Sequence, residues 1–422
     1  MTYVVQEKSG SELNRFYEED LLIHDWYRFI LSYPPHLVKD YIKKFDISLE
    51  QCVLDPFCGT GTTLVECKKH GISSVGIEAN PVVRLMAQTK TQWNIDGYGL
   101  VHHAESIAKA AYLRLVKYGN ELKTLTEEQN KLIIKDSISP VPLHKSLVLL
   151  EVIDELYDGR FNNYERTAFA KQLVYAFSNL KFGPEVGVSR KKKLDVDAIE
   201  IWLQQVHQMA KDVASFQLLK DVGSVVHLAD ARNISNVLQP NSIDAIITSP
   251  PYPNEKDYSR ATRLESVLLG MVTTKGDLRA NKENLLRSNT KNIYVTDTDE
   301  KWISHHSRIM ELADSIERKR IELGKNSGFE KSYHKVVKLY FGGMARHLEE
   351  LKPKLRPGAR LAYVVGDQAS YFRILIRTGE ILAEIAQQSG YQVLGIDLFR
   401  TRLSTATKDQ LREEVVLFQW NG

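Results

Sequence analysis

Two short stretches hold residues whose types and order could do chemistry. The first, VLDPFCGTGTTLVEC from Val53, is an apolar run ending in Asp55, then Pro56 and Phe57, then a glycine turn through Gly59 and Gly61, then a helical pattern from about Thr62. Glycines there permit a tight turn and close backbone approach to a ligand, and a helix start presents free N–H groups. The turn departs from G-x-G-x-x-G and offers no Lys for a triphosphate, so dinucleotide and P-loop readings fit poorly. Asp55 instead suits a ligand with a cationic amino group, and Phe57 can face an adenine ring or a sulfonium charge. Nineteen residues after Gly59, Glu78 closes a second apolar run within GIEANP. Nucleotide-binding βαβ units place the carboxylate that grips a ribose diol at about that separation. A plain strand-turn-helix with no ligand is the alternative, and the coincidence of turn, acid and spacing weighs against it.

The second stretch is Ser249-Pro250-Pro251-Tyr252, which follows the apolar run IDAIIT from Ile243. Proline donates nothing to a ladder, so the strand stops pairing here and its last residues project from the sheet edge. Open α/β sheets place their chemistry at such edges. Alone, four residues read first as a rigid strand exit; with the glycine turn and Glu78 upstream, they read as part of a site. Downstream, Asn254, Asp257 and Tyr258 either line a pocket or cap the next helix.

These residues need a scaffold, and the chain supplies one. Seven short apolar runs read as strands, starting near 51, 73, 225, 243, 360, 391 and 414. Most are separated by helical patterns, as in a parallel sheet with helices on both faces. The last two, joined by the polar LFRTRLSTATKDQLRE, suit an antiparallel excursion at the sheet's end. Two stretches exceed a minimal βαβ count. Residues 99–221 carry apolar stripes such as Ile199, Trp202, Val206, Met209, Val213 and Phe216, and read as a helical insertion packed on the core. Residues 272–335 read as a polar, loop-rich insertion with one exposed helix. The catalytic domain is then 1–98 with 222–271 and 336–422.

Bulk properties bound the class. The 422 residues are 43% hydrophobic and 26% charged, ordinary values for a globular protein. Net charge is only +3, so a nucleic-acid surface must be local. Two basic stretches qualify: the run Arg190–Lys193, and residues 272–340, with 14 Lys or Arg against 10 Asp or Glu. A charge run is most often a solvated face, but phosphate neutralisation supplies most non-specific DNA affinity. Cys52, Cys58 and Cys67 show no C-x-x-C pairing, which argues against a zinc module and fits a reducing compartment. No metal ligand set is expected. The sequence shows no signal peptide pattern and no apolar run near 18 residues, so the expectation is a cytoplasmic, nucleoid-associated protein with no membrane partner.

DPFCGTGTT followed by TSPPY resembles the S-adenosylmethionine-dependent DNA amino-methyltransferases, which modify the exocyclic nitrogen of cytosine or adenine. The resemblance implies a seven-stranded Rossmann-like methyltransferase sheet carrying the helical and loop insertions. It also implies S-adenosyl-L-methionine as cofactor and double-stranded DNA as substrate, with a cognate restriction endonuclease as a further partner in a restriction-modification system. By the same resemblance Asp55, Pro56, Phe57, Gly59, Gly61 and Thr62 form the cofactor motif, Glu78 binds the ribose and Asp230, in HLADARNI, meets the adenine amino group. YPPHLVKDYI from Tyr33 is looser: it is either the segment that closes over the methionine end or a helix entry. Ser249, Pro250, Pro251 and Tyr252 become the catalytic tetrapeptide. Family members with Ser at its head usually act on cytosine N4 and those with Asp on adenine N6, so cytosine is the expected base, adenine the runner-up and RNA the more distant alternative. Motif order differs from the many Ser-Pro-Pro-Tyr members that carry the tetrapeptide first. The target-recognition region therefore cannot be placed by analogy; the two insertions, 99–221 and 272–335, are the candidates, with 272–335 put first.

Overall fold

β-Branched and apolar runs, most of them separated by helices, build one sheet. The computed structural model describes residues 13, 16–29, 32–183, 185–254, 256–326, 328–403 and 410–422. The strands are β1 (Cys52–Asp55), β2 (Ser73–Glu78), β3 (Leu180–Phe182), β4 (Val186–Val188), β5 (Ser224–Leu228), β6 (Ile243–Thr248), β7 (Leu355–Gly366), β8 (Gln392–Leu403) and β9 (Gln410–Trp420). The main sheet has seven strands in the order β5-β2-β1-β6-β7-β9-β8, and β3 and β4 form a separate hairpin. All seven expected strands are present. β5, β2, β1, β6 and β7 pair in parallel, whereas β9 inserts antiparallel between β7 and β8. The sheet is the Rossmann-like methyltransferase sheet, with helices on both faces. Part of the polar β8–β9 connection, 404–409, lies outside the described residues.

The order contains a switch point. From β1 the chain moves outward through β2 to β5, then returns to the opposite side of β1 as β6. Connections that diverge from neighbouring strands open a crevice at their carboxyl ends, where α/β sheets bind ligands. Asp55 and Thr248 are the last residues of β1 and β6, so both motifs reach the same crevice.

On one face, Val65, Val82 and Met86 share a core with Trp202, Val206 and Met209 of the Ala198–Ala214 helix. The 99–221 stretch thus packs continuously on the sheet's own helices, and its first helix, Gly97–Tyr118, begins two residues earlier. The other face buries Leu54, Ile77 and Ile246 under Tyr340, Phe341 and Met344 of the Tyr333–Leu351 helix.

The 272–335 stretch differs from expectation. It holds two α-helices, Lys275–Glu283 and Ser307–Glu322, and the second buries Ile309, Ala313 and Ile316 in the core instead of standing exposed. Its i, i+4, i+7 apolar stripe is short and sits among charged residues, which hid the buried face. The first helix is opened by a capping box between Thr274 and Asp277, a signal present in the sequence. Among the described residues no helix is long and apolar enough to cross a membrane. None of their His, Cys, Asp and Glu side chains form a group of three or more placed to hold a metal ion.

Candidate active site

A cavity of about 630 Å³ lies at the switch point, within the range of small-molecule sites. One side is the glycine turn. Gly59 and Gly61 take φ of +51° and +85°, the left-handed region that glycine enters without penalty. Gly61 stands immediately before the Thr62–Lys69 helix. A Cβ on Gly61 would lie 3.3 Å from Ala87, so the turn also sets how closely the next helix packs.

Glu78 locks this turn. Its Oε2 accepts from the Gly59 N–H at 3.0 Å and its Oε1 from the Asn80 N–H at 2.7 Å. Burial pushes the Glu78 carboxyl up to about 7, and these N–H groups only partly offset it. Asn80 in turn caps the Pro81–Thr91 helix, its side-chain oxygen accepting from Val82 N.

Asp55 has 0% exposure and stands behind the cavity wall. Its Oδ1 accepts from Thr248 Oγ1 at 2.6 Å and Phe57 N–H at 3.1 Å, and its Oδ2 from Tyr33 OH at 3.1 Å. Burial pushes this carboxyl up to about 6 against those bonds. The Tyr33 hydroxyl also meets Thr63 Oγ1, which donates to the Ile247 carbonyl at 3.0 Å. Asp55 thereby ties the segment before the Pro35–Lys44 helix, the glycine turn and the end of β6 into one unit. Within YPPHLVKDYI, Pro35 is the first residue of that helix, and Tyr33 and Pro34 line the cavity.

Pro56, Phe57, Gly59, Thr62, Glu78 and Asp230 all line the cavity, whereas Asp55 and Gly61 support it from behind. Phe57 packs edge-on against His347, ring centroids 5.0 Å apart. His347 Nδ1 lies 2.8 Å from the Ala231 carbonyl and so donates, and Nε2 accepts from Tyr363 OH at 2.7 Å. Burial holds this imidazole down to about 4, so the ring is neutral. Asp230 is gripped by Arg232 through three side-chain bonds, 3.0, 3.1 and 2.7 Å, plus the Arg232 N–H at 2.9 Å. The buried Arg232 is anchored in turn on Asp299 at 2.6 Å, a residue of the polar insertion. Sequence reading missed Arg232 and Asp299, although Arg two residues after Asp230 was visible.

The opposite side is the tetrapeptide, and Ser249, Pro250, Pro251 and Tyr252 all line the cavity. Ser249 Oγ donates its proton to the Val364 carbonyl at 3.1 Å. The oxygen lone pairs are thereby left as acceptors. The Tyr252 phenol lies beside the same hydroxyl. The Tyr252 ring rests on β7 at Gly366, where an added Cβ would come within 3.1 Å of Cε2. Downstream, Asp257 caps the Tyr258–Ala261 helix through the Arg260 N–H, while Asn254 and Tyr258 line the cavity. The far wall comes from residues no motif announced: Gln368 after β7, and Arg400, Arg402 and Glu413 on the antiparallel strands. Arg400 pairs with Glu413 at 2.6 Å.

A family model described as DNA methylase, of the N6/N4 type, matches residues 6–88. Type II methyltransferase M.BsoBI of Geobacillus stearothermophilus is 25% identical over 92% of this chain and 82% of its own length. Type II methyltransferase M.AvaI of Anabaena variabilis is 26% identical over 87% of this chain and 79% of its own. Type II methyltransferase M.MjaII of Methanocaldococcus jannaschii is 34% identical over 21% of this chain.

Proposed function

Starting from a chain that is an S-adenosylmethionine-dependent DNA amino-methyltransferase of the type II, N6/N4 class, we propose that it methylates N4 of cytosine in duplex DNA. The methylated base lies within a fixed short sequence, and the chain is the modification partner of a cognate restriction endonuclease. The observation that carries the choice of base is the neutral acceptor at Ser249, its proton directed to Val364.

An aromatic amino group is a poor nucleophile because its lone pair is delocalised into the ring. Two acceptors bonded to its two hydrogens hold the nitrogen in line and favour its pyramidal form, by positioning and electrostatic preorganisation. Ser249 Oγ is one acceptor and the Pro250 carbonyl the other, with the prolines restricting the backbone between them. Tyr252, braced against Gly366, supplies a flat face for a base turned out of the duplex. A neutral hydroxyl suits cytosine, whose ring N3 is itself an acceptor beside the amino group.

The glycine turn, Phe57, Glu78 and Asp230 fit S-adenosylmethionine. Glu78 offers a carboxylate for a ribose diol, Asp230 an acceptor for the adenine amino group, and Phe57 an aromatic wall. When bound there, the cofactor supplies an electrophilic methyl group on sulfur. Asp55 acts from behind, holding the turn and Thr248 in register. Cys58 is the cysteine in the cavity wall, and burial pushes its thiol well up, which is unlike the thiolate nucleophile that C5 methylation needs.

The test is nucleoside mass analysis of duplex DNA after reaction with labelled S-adenosylmethionine. N4-methylcytosine is the expected product. N6-methyladenine would overturn the inference from Ser249 while sparing the two-acceptor mechanism, and C5-methylcytosine would overturn both. Label found in RNA alone would overturn the DNA substrate.

A further inference from the structure

A smaller groove adjoins the cavity and shares Phe29, Lys256 and Tyr258 with its wall. It is built from distant pieces: the Tyr27–Phe29 segment, Val174 and Tyr175, the β3–β4 hairpin, and the catalytic loop with Lys291 beside it. Four cations line it, Arg28, Lys256, Arg260 and Lys291, against two acids, Glu185 and Asp257. Asp257 is already committed. It pairs with Lys282 at 3.1 Å and accepts from Ser259 Oγ at 2.6 Å.

The four cations are less well satisfied. Among the described residues, Lys256, Arg260 and Lys291 make no ion pair. The Arg260 Nε is buried without an acceptor. The Arg28 guanidinium lies 4.1 Å over the Phe16 ring. Converging cations that outnumber the acids beside them repel one another, and a buried guanidinium N–H without an acceptor costs free energy. A polyanion laid along the groove relieves both. The groove encloses about 60 Å³, against about 630 Å³ for the cavity. A base cannot sink into so small a space, so the occupant runs along the surface. Phe29 and Tyr258, with rings stacked 6.3 Å apart, form the partition between groove and cavity. Whatever lies in one is therefore within a residue's reach of the other.

We propose that this groove seats the sugar-phosphate backbone of the DNA strand beside the nucleotide whose base enters the cavity. The DNA-facing surface is thus shared between the two insertions, the hairpin coming from one and Lys291 from the other. The 272–335 stretch alone does not supply it. The proposal rests on the reading of the cavity as the target-base site, and its test is separable from the identity of the methylated base.

The test compares wild type with R260A/K291A and with K291E, which changes one exposed side chain and leaves the packing intact. Binding of a fluorescein-labelled duplex of mixed sequence is followed by anisotropy over a range of salt. The log–log salt slope should become shallower by about 1.8 in the double variant and about 0.9 in K291E, at about 0.9 for each phosphate no longer neutralised. Affinity at low salt should fall on the order of tenfold in the double variant. R260K/K291R should keep the wild-type slope, and S-adenosylmethionine affinity by calorimetry should be unchanged in all three variants. A wild-type slope in both R260A/K291A and K291E overturns the proposal. Product analysis yielding N6-methyladenine would sink the cytosine reading and leave these slopes untouched.

Discussion

The two ends of the cavity solve opposite electrostatic problems. At the glycine-turn end two carboxylates, Asp55 and Glu78, are buried deeply enough to rise to about 6 and about 7, and backbone N–H groups hold them in place. At the tetrapeptide end the polar group is a neutral hydroxyl, aimed at a carbonyl and flanked by aromatic rings and paired charges. A site for a permanently cationic ligand gains from negative charge in a low dielectric. A site that must orient a neutral amine gains from fixed acceptors. Thr248 joins the two, its hydroxyl on Asp55 and its carbonyl leading into Ser249. The comparison implies that one end governs cofactor affinity and the other governs turnover.

The largest effect should come from Ser249→Ala. Loss of one preorganised acceptor should lower kcat on the order of a hundredfold with little change in KM for DNA, the pattern of an interaction made in the transition state. Tyr252→Ala should cost about 1–3 kcal/mol in DNA turnover through lost base stacking. Calorimetric S-adenosylmethionine affinity should stay near wild type in both. Steady-state kinetics showing a loss confined to cofactor KM would erase the division between the two ends.

Next in size, Glu78→Gln should weaken S-adenosylmethionine binding by about 1.5–3 kcal/mol, through lost charge-assisted hydrogen bonds. Asp55→Asn should lower both cofactor affinity and kcat, because Asp55 braces the turn and Thr248 together. Equal kinetic phenotypes in the two variants would mean that Asp55 acts on the cofactor alone.

A smaller effect is expected from pH. Glu78 must be ionised to accept from a ribose diol, so S-adenosylmethionine affinity should rise as pH increases through about 7 and then level. Glu78→Gln should flatten that rise. Stability runs the other way: an acid whose folded pKa is raised contributes stability that is full below its ordinary value. For Asp55 and Glu78 that stability is lost as pH climbs from about 4 through about 6 to 7. Isothermal titration and thermal melts over pH 5–8 read both signs, the pH range being about that of these two groups.

The smallest effect concerns the basic run. Lys192 and Lys193 are half-buried and donate to the Asp136 and Tyr175 carbonyls at 3.3 and 2.9 Å, whereas Arg190 and Lys191 are exposed. R190A/K191A should flatten the DNA salt slope by at most about 0.9 per phosphate. K192A/K193A should instead lower the melting temperature and spare the slope. The reverse pattern would place the DNA against the half-buried pair.

How much could be foreseen divides along the same line as the cavity. The glycine-turn end lies within 53–80, so short-range spacing was enough to bring its pieces together in prospect. The tetrapeptide was visible too, but the walls around it were not. Arg400 and Glu413 face the cavity only because β9 runs antiparallel between β7 and β8. The β3–β4 hairpin went unread because each strand is three residues long, with Gly183 directly after β3 and Gly187 inside β4, too little for a period-2 signal. The buried stripe of Ser307–Glu322 was masked by its charged neighbours.

From the chain's residues alone come the strands, the turn, the two acids and the order of the motifs, since each is encoded by periodicity or backbone restriction within a few residues. Only the folded structure decides that Asp55 braces from behind the wall and that Arg232 holds Asp230 through Asp299. It alone brings Lys291 of one insertion and the β3–β4 hairpin of the other beside Lys256 and Arg260 of the catalytic loop. Those outcomes depend on burial and on contacts between residues far apart in the chain, and local spacing carries no information about either.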